Sequence, residues 1–266
     1  MTTRPRSRRR AIAASAVASL MVVAACGGDD DDSAGASDDG GGEQTIDIVG
    51  FAVPEGNPDG IEDWDDLLGD GVEIITPNPG SSGSAKWNIM AAYGHVIAEG
   101  GTPEEAEEYL TGFFEHVAAL PGSGRDATTA FKDGTGNVLI TYENEAILAR
   151  QSGEELDYVI PPSTLKIENP GAVVEGADPA TQDWYDFVLS PEGQLEFVKK
   201  GFRPVIDGVE IPEVEGANDP ANPFPDPENL LDIEDDFGGW SEVNTTFFDE
   251  EEGVVTKIQQ ETGQTG

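Results

Sequence analysis

Cysteine occurs once in the 266 residues (Cys26), histidine only at His95 and His116, and the 14 lysines and arginines face 53 acids. A single cysteine excludes an internal disulfide. The two histidines are 21 apart, with no Cys or Glu at ligand spacing, so they read as helix residues rather than a metal pair. The shortage of cations excludes a nucleic-acid partner, because such a surface repels phosphate backbones. No run of uncharged apolar residues reaches the roughly 20 needed to span a bilayer. With 33 Gly and 18 Pro the chain is rich in turns, yet no Gly-x-y repeat appears, so it is not collagen-like. What remains is a 37% hydrophobic, strongly acidic chain long enough for one sizeable domain or two small lobes.

The charge is divided unevenly. Arg4, Arg6, Arg8, Arg9 and Arg10 precede an uncharged stretch, Ala11–Ala25, and every acid lies beyond it. A basic start and a short apolar run read as an export signal over residues 1–25. Ser7-Arg8-Arg9-Arg10 also loosely resembles a twin-arginine signal. Val23-Ala24-Ala25-Cys26 is similar to a bacterial lipobox, which predicts acylation of Cys26 and a lipid anchor on the extracytoplasmic face of the membrane. Without the leader, nine cations stand against 53 acids, a net charge of −44. Residues 26–44, rich in Gly, Asp and Ser, cannot bury enough to order themselves and read as a tether. Asp29–Asp32 lacks the spacing of a calcium loop.

Beyond the tether, short apolar strands alternate with amphipathic helices. Thr45–Val53, Val72–Thr76, Val138–Tyr142 and Tyr158–Ile160 read as strands. Helices are expected at Ile61–Leu68, Ala85–Ala98, from Thr102 onward, and at Glu143–Arg150, Trp184–Leu189 and Gln194–Lys200. Thr102-Pro103-Glu104-Glu105 is a complete helix opening, with a hydroxyl cap, Pro at the first position and Glu in the capping box. This alternation predicts an α/β layer fold with a parallel sheet.

The stretch carrying chemistry is strand, Gly/Ser loop, helix: Val72–Thr76, then Gly80-Ser81-Ser82-Gly83-Ser84, then Ala85 onward. A helix start offers unpaired N–H groups and the positive dipole end, and glycines let an anion approach the backbone. A phosphate-binding P-loop would need Gly-Lys-Ser/Thr, and a nucleophile elbow Gly-x-Ser-x-Gly; neither is present. An anion cradle and a plain helix start both fit these residues. Glu143 and Glu145 look like an acid/base pair but suit the first turn of a helix. Arg125 is placed to meet either an anion or Asp126, and Glu250-Glu251-Glu252 reads as solvated surface. Nothing points to catalysis, a cofactor or a metal.

Ile75-Thr76-Pro77-Asn78-Pro79-Gly80-Ser81-Ser82-Gly83-Ser84-Ala85-Lys86-Trp87-Asn88 resembles the signature loop of the sulfate-binding proteins, the extracytoplasmic receptors of sulfate/thiosulfate ABC importers. Gly56-Asn57-Pro58, Tyr142-Glu143-Asn144-Glu145-Ala146, Ser190-Pro191-Glu192-Gly193-Gln194, Phe202-Arg203-Pro204 and Phe237-Gly238-Gly239-Trp240 continue it in the family's order. The resemblance implies a type II periplasmic-binding-protein fold, two α/β lobes closing on an oxyanion. It also implies that the Ser82 hydroxyl, the Gly83, Ser84 and Gly124 amides, and Tyr142 face sulfate or thiosulfate, with delivery to a membrane permease. Sulfate only accepts hydrogen bonds, so a site made of donors suits it.

Three departures accompany the resemblance. Ser84 stands where the family has a second glycine, so its Cβ crowds the anion or its hydroxyl assists. Tyr142 stands for a Trp, keeping a donor while adding an acceptor. Most of the N-terminal lobe has no counterpart: Thr45–Val53 leads directly into Glu55-Gly56-Asn57-Pro58. This divides the chain into a remnant first strand (45–55), a largely complete anion-binding lobe (56–150), and a return segment with C-terminal helices (151–266), the other lobe being truncated. Two other readings stay open: an internally deleted member that no longer binds anion, and an acidic surface protein that binds Ca²⁺.

Overall fold

Strand β1 (Gly42–Pro54) is the spine of the structure, a computed structural model that describes residues 42–265. The export signal, Cys26 and most of the tether lie outside the described residues. Ile48, Val49, Phe51, Ala52 and Val53 are all buried, as expected for a β-rich run covered on both faces. One edge of β1 pairs with β4 (Val138–Tyr142). Its other edge pairs first with β6 (Ser163–Gly171) and then with β5 (Leu156–Val159), all antiparallel. On the far side of β4 follow β2 (Ile74–Ile75) and β3 (Val117–Ala119), mutually parallel, and β7 (Asn229–Leu231) runs parallel to β6. The order is β3-β2-β4-β1-β6-β7, with β5 also on β1. The sheet is therefore mixed, not the parallel sheet expected from the alternation of elements. The reason is β1, which runs against each of its partners and whose direction no local pattern encodes.

The helices arise from local signals. Helix α1 (Gly83–Ala98) follows the Gly/Ser loop, and α2 (Pro103–Glu115) opens with the capping box of Thr102 and Glu105. A short 3-10 turn, Trp64–Leu68, buries Trp64 and Leu67, with Asp63 and Asp66 capping each other's backbone. Trp64 meets Phe51 edge to face at 4.7 Å and donates its indole N–H to the Ser163 carbonyl at 2.7 Å. The Tyr109 hydroxyl reaches the Trp64 carbonyl at 2.6 Å. Helices α3 (Gly124–Lys132) and α4 (Glu143–Gln151) follow β3 and β4, and α5 (Pro179–Val188) and α6 (Pro191–Val198) follow β6.

Helices α7 (Ile233–Phe237), α8 (Trp240–Phe247) and α9 (Val254–Thr262) complete the largest core. In it Ile233, Val243, Phe247, Val255 and Ile258 join Ile89, Met90, Leu110, Phe113 and Phe114. Burying each such side chain contributes about 1.5–3 kcal/mol before entropy is counted. Residues on both sides of position 150 thus share one core with β1. His95 lies on α1 and His116 caps the end of α2, the helix placements expected from sequence.

Candidate functional site

Strands β2, β3 and β4 are neighbours and parallel, so the helices that follow them all begin at one end of the sheet. Ligands of open α/β sheets bind beyond the carboxyl ends of such strands. Here the loop after β2 is held against the loop after β3. The Asn78 amide donates to the Pro121 carbonyl (2.8 Å), and the Ser81 hydroxyl to the Gly122 carbonyl (3.0 Å). The N-termini of α1 and α3 meet so closely that a Cβ on Gly124 would lie 3.1 Å from the Ser84 hydroxyl. Four predicted site residues, Ser82, Gly83, Ser84 and Gly124, are thereby brought together. Ser82, Ser84 and Gly124 are half-buried and Gly83 is exposed, so the cluster opens to solvent.

The two serines are hydrogen-bonded to each other, Oγ to Oγ, at 2.8 Å. That contact turns the Ser84 hydroxyl toward Ser82. Two hydroxyls carry two hydrogens and their mutual bond uses one, so one donor remains to be redirected. Ser82 is the N-cap of α1, yet its side chain caps nothing, and no acid occupies the first turn. Every other described helix opened by Ser, Thr or Asp uses that side chain as a cap. Asn88 fixes the start of α1 to the sheet, donating to the Thr76 hydroxyl (3.2 Å) and the Ile140 carbonyl (3.0 Å).

Tyr142, the last residue of β4, is the N-cap of α4 and likewise makes no side-chain cap. Burial, reinforced by the nearby Asp47 and Glu145 carboxylates, pushes its phenol well above the ordinary range, so it stays a protonated donor. Its ring packs, partly buried, against the largest core. Arg125 follows Gly124 on α3. It forms no ion pair with Asp126 among the described residues; Asp126 accepts instead from the Ser123 hydroxyl at 2.8 Å, and burial raises the Glu145 carboxyl with Arg125 opposing.

Glu143 and Glu145 occupy the first turn of α4, as the helix reading expects. Glu143 has no exposed side-chain surface and is gripped by Arg203, Nε to Oε2 at 2.8 Å and Nη2 to Oε1 at 3.1 Å. Burial still raises its carboxyl, with Arg203 opposing. Sequence reasoning missed Asp47, wholly buried in β1, which accepts from the Asn144 amide at the start of α4 (3.2 Å). A charged residue within an otherwise apolar strand was the one available signal.

The sequence model of the bacterial extracellular solute-binding proteins matches residues 10–203. The chain belongs to that family. Among solute-binding proteins it is 40% identical to the sulfate-binding protein of Synechococcus elongatus over 223 residues, 81% of this chain and 61% of that one. It is 35% identical to the thiosulfate-binding protein of Escherichia coli over 210 residues, 75% of this chain and 60% of the other. The solved sulfate-binding protein SubI of Mycobacterium tuberculosis superposes with a TM-score of 0.70 at 42% identity, covering 78% of this chain and 71% of that structure. The fold is thus that of the periplasmic binding proteins, and a solute-binding protein of this family is extracytoplasmic. The chain spans about three fifths of the length of the curated relatives it matches.

Proposed function

We propose that this solute-binding protein captures sulfate or thiosulfate and delivers it to an ABC importer, held at the membrane by a lipid on Cys26. The observation that carries the reading is the uncapped N-terminus of α1 facing that of α3 across the Ser82–Ser84 pair. Backbone amides of Gly83, Ser84 and Gly124 supply donors, the dipoles of two helices supply positive potential, and no carboxylate stands in the first turn of α1. A dianion without protons needs that donor set. Tyr142 adds a neutral donor at the head of the third helix, and Arg125 a cation at the rim. Names of the relatives support sulfate and thiosulfate alike, and no side chain among these favours one.

A second reading has its own observation. Because about two fifths of the relatives' length is unmatched, a chain that has lost one face of the clamp would hold anion weakly or not at all. Titration calorimetry with sulfate, thiosulfate, phosphate and Ca²⁺ separates the alternatives. A sulfate or thiosulfate affinity that falls in Ser82→Ala supports capture. Absence of any anion heat supports the lost-function reading, and heat with Ca²⁺ alone overturns both.

A further inference from the structure

Asp47 lies on the central strand, is wholly buried, and reaches the start of α4 from outside that helix. Its Oδ1 accepts two backbone amides, Ile48 at 2.9 Å and Asn144 at 3.2 Å, whereas its Oδ2 is buried with no hydrogen-bond partner. The Asn144 Oδ1, on the same turn of α4, is also buried without one. A carboxylate that solvates only one of its oxygens is costly in a dry interior. A carboxylic acid costs far less, because the buried charge is gone while Oδ1 still accepts both amides. The charged form would also set a negative charge against the phenol of Tyr142, opposing an anion held by that donor.

We propose that Asp47 is the proton-linked positioning residue of the anion site, taking up a proton from solvent as the dianion binds and releasing it as the dianion leaves. This rests on the capture reading above. The groups that face Asp47 are consistent with it. From α4 comes Glu143, whose charge is matched by Arg203; from β4 comes the neutral phenol of Tyr142. On β6, Ile167 lies opposite Asp47, and the flanking Lys166 pairs with Glu168 and with Asp232 of the segment before α7. Arg203 therefore already has a carboxylate, and burial, then Glu143, hold the Asp47 carboxyl well above its usual range. Since the anion disfavours the ionised form further, linkage requires that affinity be highest with Asp47 protonated and fall as pH rises through its folded titration.

The test is calorimetry with sodium sulfate between about pH 5 and 9, in paired buffers of different ionisation enthalpy, on the unmodified protein and on Asp47→Asn. A binding-linked rise of about one pKa unit corresponds to about tenfold in affinity. The unmodified protein should take up protons on binding and lose about tenfold in affinity across the range, while Asp47→Asn should bind with a flat profile at the acid-side strength. An equal slope in both proteins overturns the proposal but leaves capture standing; no sulfate heat from either at any pH overturns both. Should Asp47→Asn fail to fold by circular dichroism, carboxyl ¹³C resonances of the unmodified protein decide. Sulfate should move the Asp47 titration upward, and an unmoved titration overturns the proposal.

Discussion

Helices α1 and α2 are consecutive, and each is opened by a hydroxyl residue, but the two starts are put to opposite uses. At α2, Thr102 accepts from the Glu105 amide while Glu105 accepts from the Thr102 amide, so the turn is closed on itself. At α1, Ser82 leaves the amides of its own helix alone and bonds Ser84. The start of α4 is a third case: its cap comes from Asp47, far away in sequence, and its first acid is neutralised by Arg203. The uncapped start of α1, at the carboxyl end of a parallel strand, leaves its amides for a ligand, whereas the closed start of α2 uses them for stability.

The largest effect that separates these starts is at α4. Arg203→Ala leaves Glu143 buried without its partner and should cost about 3–5 kcal/mol in chemical denaturation. A loss near that of an exposed pair would mean the ion pair is dispensable. At α1 the effect should fall on the ligand instead. Ser82→Ala is expected to weaken sulfate by roughly tenfold to a hundredfold, the worth of a hydrogen bond to a charged acceptor, with an unchanged melting midpoint. A destabilised fold with unchanged affinity would turn Ser82 into an ordinary cap. At α2 the pattern should invert, Thr102→Ala costing about 1 kcal/mol of stability and nothing in affinity.

The smallest expected effect is in pH. His95 is buried against Trp64 and Tyr109, with Asp65 and Glu99 carboxylates 3.7 Å and 3.9 Å from its ring nitrogens. Burial lowers its pKa, partly offset by Glu99, Asp65 and Asp63. The unfolded chain then protonates first, so stability declines as pH falls below about 6.5 and levels off once the folded imidazole titrates. His95→Phe should shed that part of the slope; an identical pH profile in both proteins would exclude His95 as its source.

How much of this the residues announced depends on how local each signal is. Val138–Tyr142 is a strand over the range its pattern predicts, and the Thr102 box opens a helix where expected, because periodicity and capping are written within a few residues. That the Gly80–Ser84 loop opens a helix was legible for the same reason, whereas Gly124 entered only through the family resemblance. β3 and β7, three residues each, are too short to show a period, and β6 ends in Asn169-Pro170-Gly171, which reads as a turn. Asp47 showed only as a charge in an apolar strand, and what that charge meets could not be read because Asn144 lies 97 positions downstream. A charged strand residue normally marks a solvent face, and only the tertiary partner reverses that inference.

The central position of β1 has a kinetic consequence. Every strand it pairs with is synthesised about a hundred residues after it, from Val49 with Tyr142 to Gly42 with Gly171, which gives the sheet a high contact order and slow closure. A nascent chain therefore has no early hairpin in which to settle: its first strand must wait, unpaired, until the fourth has been made, and its pairing is complete only with the sixth. For a protein that crosses a membrane unfolded, a slow closure of this kind favours threading over premature folding.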